Sequence, residues 1–136
     1  TGSECIAGLA PRRRGQRFVR KDAKQTICEY FDRLLNQRDL SVCDELLSPR
    51  YLDHDAGPQA ELGPAPTKVW VAGFLRQFSE MQVEVQDVFS EGQKVAARLI
   101  WRGKRADSGD GYHREGIVIL HLDDSGHIVE RWSAYL

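Results

Sequence analysis

Residues 81–101 read MQVEVQDVFSEGQKVAARLIW, and this stretch decides the fold class. Apolar residues occupy every second position on both sides of the turn at 90–93: Met81, Val83, Val85, then Val95, Ala97, Leu99 and Trp101. A period of two is typical of strands that bury one face, and a short Gly-containing turn between two such runs indicates an antiparallel hairpin. The sequence therefore predicts two neighbouring antiparallel strands here.

Two further strands are predicted after this hairpin, at 112–122 and 127–136, joined by the turn at 123–126. The region before the hairpin has a helical period instead. From Asp22 onward, apolar residues recur at three- and four-residue spacing: Ala23, Ile27, Tyr30, Phe31, Leu34 and Leu35. Because the helical part precedes the strands, we expect an α+β fold.

Two shorter helices are predicted between the first helix and the hairpin. Asp39 is well placed to cap the second helix, which Ser48-Pro49 should end, and a short strand is expected at 51–55. The third helix begins near Pro64 and Pro66, after a Gly/Pro loop, with one apolar face: Val71, Phe74, Leu75 and Phe78.

The charged residues are nearly balanced. The chain has 136 residues with 19 Lys and Arg against 20 Asp and Glu, a net charge of −1, so it lacks the basic field that drives nucleic-acid binding. No apolar run approaches the roughly 18–20 residues that a membrane span needs. We expect neither a nucleic acid nor a membrane as a partner.

Residues 1–20 differ from the rest of the chain. They contain Pro11 and a cluster of arginines without apolar periodicity, which predicts a flexible basic arm before a single domain at 21–136. The arm lacks the apolar segment of a signal peptide. The three cysteines, Cys5, Cys28 and Cys43, are widely spaced, so we expect reduced thiols and a cytoplasmic protein.

The strand at 112–122 is apolar on both faces. Ile117 and Ile119 share one face, whereas Val118, Leu120 and Leu122 share the other. Three helices can cover only one side of a sheet, so the simplest cover for the other side is a second copy of the chain. We therefore expect a homodimer.

Four segments resemble a known family: NQRDL at 36–40, LSPRYLDHD at 47–55, EGQKVAAR at 91–98 and SGHIVERW at 125–132. In this order they are similar to the SnoaL-like polyketide cyclases, of the ketosteroid isomerase and nuclear transport factor 2-like superfamily. The resemblance begins near residue 22. It implies a cone-shaped α+β barrel, in which a curved antiparallel sheet wraps the helices around a deep apolar pocket. It also implies catalysis without a cofactor and a homodimer.

His54 is the first candidate for catalysis. The resemblance places it where ketosteroid isomerases carry the general base, and a neutral imidazole can remove a proton next to a carbonyl near neutral pH. Asp53 and Asp55 could raise its pKa or fix its tautomer. Alternatively, His54 only bonds a loop carbonyl. We expect no metal site, because adjacent residues of a strand point to opposite sides.

The sequence also departs from the family. The acidic residue that the cyclases use corresponds to Val118, and their histidine corresponds to Arg105. The tyrosine that donates to the oxyanion in ketosteroid isomerases corresponds to Phe31, and Tyr30 would face elsewhere by about 100°. Neither standard mechanism can therefore operate unchanged.

Other polar and aromatic side chains could share the pocket. Tyr112 and Arg114 lie on the strand face of Val118, and the last strand adds Arg131, Ser133 and Tyr135. Arg114 or Arg131 could bind an enolate or carboxylate, or instead pair with Glu115 or Glu130 across strands. We expect Arg114 to act with His54 and Asp53. The substrate-binding residues are then Tyr51, Trp70, Trp101, Val118, Arg131 and Tyr135, although the tryptophans are also typical of a core.

Two classes of function follow. The first is a cofactor-independent cyclase or isomerase that abstracts a proton from a polyketide-like or other apolar carbonyl substrate. An epoxide hydrolase is an enzymatic variant of it, but Gly116 and Val118 occupy the positions of the arginine and aspartate that it would need. The second class is a non-catalytic small-ligand-binding homodimer that has lost the family's acid.

Overall fold

A computed structural model describes Cys5 and residues 22–136 of the chain. Five strands form one sheet in the order β1-β5-β4-β3-β2. Their bounds are β1 Leu47–Asp53, β2 Phe78–Glu91, β3 Lys94–Arg105, β4 Gly111–Leu122 and β5 Ile128–Tyr135. The strands β2 to β5 form an antiparallel meander, and β1 joins β5 in parallel. The α+β class is confirmed, and the sheet is antiparallel except for the parallel pair of β1 and β5.

The helices precede and interrupt the strands. They are α1 Ala23–Phe31, which continues as a π-helical turn over Asp32–Asn36, then α2 Ser41–Leu46 and α3 Ala65–Leu75. Asp22 begins α1 with a capping box, because its carboxylate accepts from the Gln25 N–H at 2.8 Å and the Gln25 side chain accepts from the Asp22 N–H. The expected helix at the start of this region is confirmed.

The core lies between α1 and the inner face of the sheet. The alternating apolar residues of β2 and β3 point to this face, and Val95, Leu99, Val118 and Leu120 are fully buried there. From α1 and the π-helical turn, Ile27 and Leu35 are fully buried as well. The apolar residues of the alternating strands and those of the helical stripe therefore pack together in one layer.

Two boundaries differ from the expectation. The second helix ends at Leu46, just before Ser48-Pro49 as expected, but the strand expected at 51–55 begins earlier, since β1 runs from Leu47 to Asp53 and includes both residues. Proline is tolerated there since β1 lies at the edge of the sheet, next to β5. Phe78 begins β2 instead of lying on the helix, and its ring packs on Phe74 of α3 with a centroid distance of 4.9 Å.

The expectation of reduced thiols is wrong for two of the three cysteines. Cys5 and Cys28 form a disulfide that joins the N-terminal region to α1, and Cys43 is a buried free thiol. The widely spaced cysteines contain no local signal for this pair, because only the fold brings the two together. Apart from Cys5, the predicted basic arm at 1–20 falls outside the described residues.

Asn36 connects the helical layer to the sheet edge. Its side-chain amide accepts from the Val83 N–H at 2.7 Å and donates to the Val83 carbonyl at 3.0 Å. Val83 lies on β2, which has no neighbouring strand on this side within the described part of the chain. One side chain therefore replaces a strand partner for both backbone groups of Val83.

The outer face of the sheet has an apolar patch. Ile117 and Ile119 are 53% and 41% exposed, and Ile119 pairs across the strands with Trp132.

Within residues 22–136, none of the helices has the length and apolarity that a membrane crossing requires.

Candidate functional site

A cavity of about 560 Å³ opens between the inner face of the sheet and the helices α1 and α3. The segment at 55–63 forms part of its wall, and each of the strands β1, β3, β4 and β5 contributes side chains. This volume lies in the range of sites for small organic molecules.

The parallel pairing of β1 with β5 brings Asp53 and Arg131 together. The two residues are register partners, and the His54 N–H donates to the Arg131 carbonyl at 2.9 Å. Because successive residues of a strand alternate in direction, Tyr51 and Asp53 both point into the cavity. The Asp53 carboxylate accepts from the Asp55 N–H at 2.9 Å, which orients it at the end of β1.

Arg131 is held by Tyr135 of the same strand. Its guanidinium donates to the Tyr135 hydroxyl at 3.1 Å, and no carboxylate of the described residues forms an ion pair with it. Burial lowers the pKa of Arg131, but the surrounding tyrosine oxygens and Asp53 outweigh this, so its pKa lies above the ordinary value. The cavity therefore contains a permanent positive charge beside the Asp53 carboxylate.

The Tyr135 ring occupies the space above Gly116. The two residues pair across β4 and β5, and a Cβ atom on Gly116 would lie 2.2 Å from the ring. The Arg114 guanidinium lies 4.9 Å from the centroid of the same ring, at the exposed rim of the cavity. Gly116 therefore allows Tyr135 to reach Arg131.

Four buried polar atoms on the cavity wall have no hydrogen-bond partner among the described residues. They are Tyr30 Oη, Tyr51 Oη, Trp101 Nε1 and Arg131 Nε. All four carry a proton, so each is a donor without an acceptor among these residues. Burial raises the pKa of Tyr51 to about 12 and that of Tyr30 well above its ordinary value. Both phenols therefore remain donors at neutral pH.

Aromatic rings form the rest of the wall. Trp70 is 59% exposed and stacks on Phe74 with a centroid distance of 5.1 Å, and Phe74 meets Trp101 edge-on at 5.4 Å. Tyr112 packs on Phe78 at 4.8 Å. The cavity is thus polar around Arg131 and aromatic toward Trp70.

The site also has a fixed contact between its loop and β5. The Asp55 carboxylate accepts from the Ser133 N–H at 2.5 Å and from its hydroxyl at 2.7 Å. This carboxylate is already satisfied by two donors, whereas the Asp53 carboxylate accepts a single hydrogen bond from the residues that the structure describes. Asp53 is therefore the carboxylate more available for chemistry.

The structure brings together seven of the nine residues predicted for the site. Besides Asp53, the cavity wall includes the expected Arg114, Tyr51, Trp70, Trp101, Arg131 and Tyr135. Tyr112 and Ser133, expected to share the face, line it as well. Neither Arg114 nor Arg131 pairs with Glu115 or Glu130.

His54 and Val118 do not line the cavity. His54 is one residue beyond Asp53 and lies outside, where its Nε2 contacts Glu130 at 2.9 Å and its ring stacks on Trp132 at 4.6 Å. Glu130 also contacts His121 at 3.2 Å, and these contacts with His54 and His121 lower the pKa of Glu130. Val118 is fully buried in the core.

Tyr30 was not predicted as a site residue, yet it lines the cavity together with Phe31. Its membership of the apolar stripe of α1 was the signal that it points inward. Thr67 and the loop residues Gln59 and Glu61 also line the cavity. They carry no periodic pattern, so only the fold identifies them.

Known proteins share this architecture. The family model described as SnoaL-like polyketide cyclase matches residues 25–135. TsrD from Streptomyces laurentii superposes with a TM-score of 0.75 at 21% identity, over 87% of this chain and 91% of that one. A SnoaL-like polyketide cyclase from Agrobacterium tumefaciens superposes with a TM-score of 0.73 at 14% identity, over 86% and 93%. No curated protein matches the sequence.

Proposed function

The chain belongs to the SnoaL-like polyketide cyclase family, and from this premise we propose that it is a cofactor-independent cyclase or isomerase with Asp53 as its general base. The substrate is a polyketide-like carbonyl compound. The reaction begins when the base removes a proton from the carbon next to the carbonyl. This proposal transfers the role of base from His54 to its neighbour.

One observation carries the proposal: a carboxylate and a set of unpaired donors share one cavity wall. Asp53 is the register partner of Arg131, and the unpaired hydroxyls of Tyr30 and Tyr51 line the same cavity. Proton abstraction next to a carbonyl needs a base and a group that stabilises the enolate oxygen. The site supplies both.

The chemistry can be written with these residues alone. The Asp53 carboxylate takes the proton, and the electron pair of the C–H bond moves onto the carbonyl oxygen as an enolate. Tyr30 and Tyr51 donate to that oxygen, and the charge of Arg131 favours its formation. In a cyclisation the enolate carbon then attacks a second carbonyl of the same molecule, and the Asp53 carboxyl returns the proton to the new alkoxide.

A second candidate function is supported by the position of Val118. The family's acid corresponds to this residue, which is fully buried in the core and cannot serve as an acid. The same cavity would then bind a small carbonyl compound without converting it. The two functions differ in whether Asp53 exchanges protons with the ligand.

Proton exchange tests the proposal without knowledge of the natural substrate. The methyl protons of 2-acetonaphthone in D2O exchange for deuterium when a base removes them, and NMR follows the loss of signal. We expect exchange with the wild type and a loss of about 100-fold or more in Asp53→Asn, since a positioned base contributes about 10² to 10⁴ in rate. Asp107→Asn, in the exposed loop between β3 and β4, is the matched control.

His54→Gln separates the two assignments of the base. We expect this variant to keep the exchange rate, because the imidazole lies outside the cavity. Loss of exchange in His54→Gln with retention in Asp53→Asn would overturn the assignment to Asp53. A wild type that binds the ketone without exchanging it would favour the ligand-binding function.

A further inference from the structure

We infer that the cavity takes its substrate as a free acid, a planar aromatic molecule whose carboxylate pairs with Arg131. The inference rests on the proposed function in placing the reaction in this cavity, and it adds the chemical class of the molecule. It also gives Arg131 a second role, as the group that orients the substrate.

The Arg131 guanidinium has an unused donor for an anionic ligand. A guanidinium has five N–H donors and does not lose its charge in proteins. Arg131 uses one of them on Tyr135, its buried Nε has no acceptor among the described residues, and Asp53 forms no ion pair with it. Asp53 supplies a negative charge nearby but no direct ion pair, and the planar fork of Arg matches the two oxygens of a carboxylate. An ester or an amide would give these donors only a neutral acceptor.

The remaining wall suits a flat, aromatic body. Trp70 and Phe74 are nearly parallel, with 8° between their planes, and the Phe74 ring stands at 89° to Trp101. Stacked and edge-on contacts with such rings favour a planar aromatic ligand. With its carboxylate at Arg131, such a ligand would extend toward Trp70 at the rim.

The other cavity arginine has a different environment. Arg114 is exposed at the rim, with its guanidinium over the Tyr135 ring. Solvent screens an exposed charge, so a carboxylate gains little from it. A carboxylate bound at the buried Arg131 can therefore be distinguished from one bound at the exposed Arg114 by separate variants.

Three related probes test the class of ligand: 2-naphthoate, methyl 2-naphthoate and 2-naphthamide. Titration calorimetry with the full chain measures each dissociation constant. We expect the wild type to bind the acid about 10- to 100-fold more tightly than the ester or the amide, because a hydrogen-bonded ion pair replaces neutral contacts. Equal affinities would overturn the inference without any variant.

Variants locate the site of the preference. Arg131→Met should lose the preference for the acid, whereas Arg102→Met, on the outer face beside Glu84, should keep it. A preference that persists in Arg131→Met but disappears in Arg114→Met would place the carboxylate at the rim and overturn the inference. Circular dichroism confirms that each variant is folded.

Asp53→Asn distinguishes this inference from the proposed function. Removing a negative charge beside Arg131 should maintain or strengthen the binding of 2-naphthoate while abolishing deuterium exchange of 2-acetonaphthone. If exchange persists in Asp53→Asn, the proposed base is wrong while the acid site stands. If Arg131→Met leaves the acid preference intact, the acid site is wrong while the proposed base stands.

Discussion

Single residues hold the cavity in shape, and Gly116 is the clearest case. A methyl group there would lie 2.2 Å from the Tyr135 ring, so Gly116→Ala must displace the tyrosine that bonds Arg131. We expect a loss of about 1–3 kcal/mol in the free energy of unfolding, as for other overpacked sites. Urea denaturation measures it.

Gly111, also on β4, is the matched control for this substitution. A Cβ atom added there meets no heavy atom within 4 Å. Gly111→Ala should change the free energy of unfolding by less than about 0.5 kcal/mol. Equal losses in the two variants would show that the effect comes from the strand backbone and not from Tyr135.

The buried tyrosines should make the free energy of unfolding decrease at alkaline pH. Tyrosine in an unfolded chain ionises near pH 10, whereas burial raises the pKa of Tyr51 to about 12. Between these values the folded chain retains a proton that the unfolded chain has lost. The stabilisation present below pH 10 should therefore be lost as the pH rises, by about 1.4 kcal/mol per pH unit for this residue.

Unfolding free energies at pH 9, 10 and 11 test this dependence. Tyr51→Phe has no phenol to ionise, so its stability should fall less steeply with pH than that of the wild type. Identical slopes for the two proteins would contradict the raised pKa.

At the scale of residues, the sequence predicted correctly which side chains of β5 face the cavity, but it placed His54 in the cavity incorrectly. Alternation placed Arg131, Ser133 and Tyr135 together, and all three line the cavity. His54 was chosen by resemblance to another family, and a shift of one residue along a strand reverses the face. Asp53 was therefore inside and His54 outside. The missing information was the register of β1 on β5.

At the scale of elements, Asn36 joins the π-helical turn to the edge of the sheet. Its amide makes both hydrogen bonds to the backbone of Val83. Asn36→Ala leaves both groups without this partner, and we expect a loss of about 1–3 kcal/mol in the free energy of unfolding. Thermal or urea denaturation measures the loss.

Gln37 provides the control because it follows Asn36, is exposed, and its side-chain amide donates to the Asp32 carboxylate of the same turn and not to the sheet. Gln37→Ala should be nearly neutral. An equal loss in the two variants would indicate a general effect of alanine in this turn, and would contradict the role of the edge contact.

Periodicity identified the elements better than their ends. The first helix and the four meander strands follow from residue spacing alone. The π-helical turn at 32–36 does not, because the spacing of apolar residues does not distinguish one π-helical turn from a continued α-helix. Pro49 was read as a stop signal, which is correct for a helix but not for an edge strand. The Cys5–Cys28 bond depends on a contact that spacing cannot reveal.

At the scale of the whole molecule, we propose that two copies associate through the outer face of the sheet. Ile117 and Ile119 are exposed there beside Trp132. Light scattering should give twice the chain mass at micromolar concentration. Ile117→Lys with Ile119→Lys should shift the mass to that of one chain, since two unpaired charges would be buried in the contact.

Val69 is the matched control for the dimer, because it is 73% exposed on α3 and away from this face. Val69→Lys should leave the mass unchanged. A wild type that remains a single chain at micromolar concentration would contradict the proposal.

The pairing of β1 with β5 also has a consequence for synthesis. Asp53 and Arg131 are register partners although 77 residues lie between them. During translation Asp53 leaves the ribosome long before its partner strand, so β1 stays unpaired while the meander is completed. Contacts of such long sequence separation form late and slow folding. A nascent chain stalled before residue 131 should be unable to retain 2-naphthoate, and it acquires this ability only with the last strand.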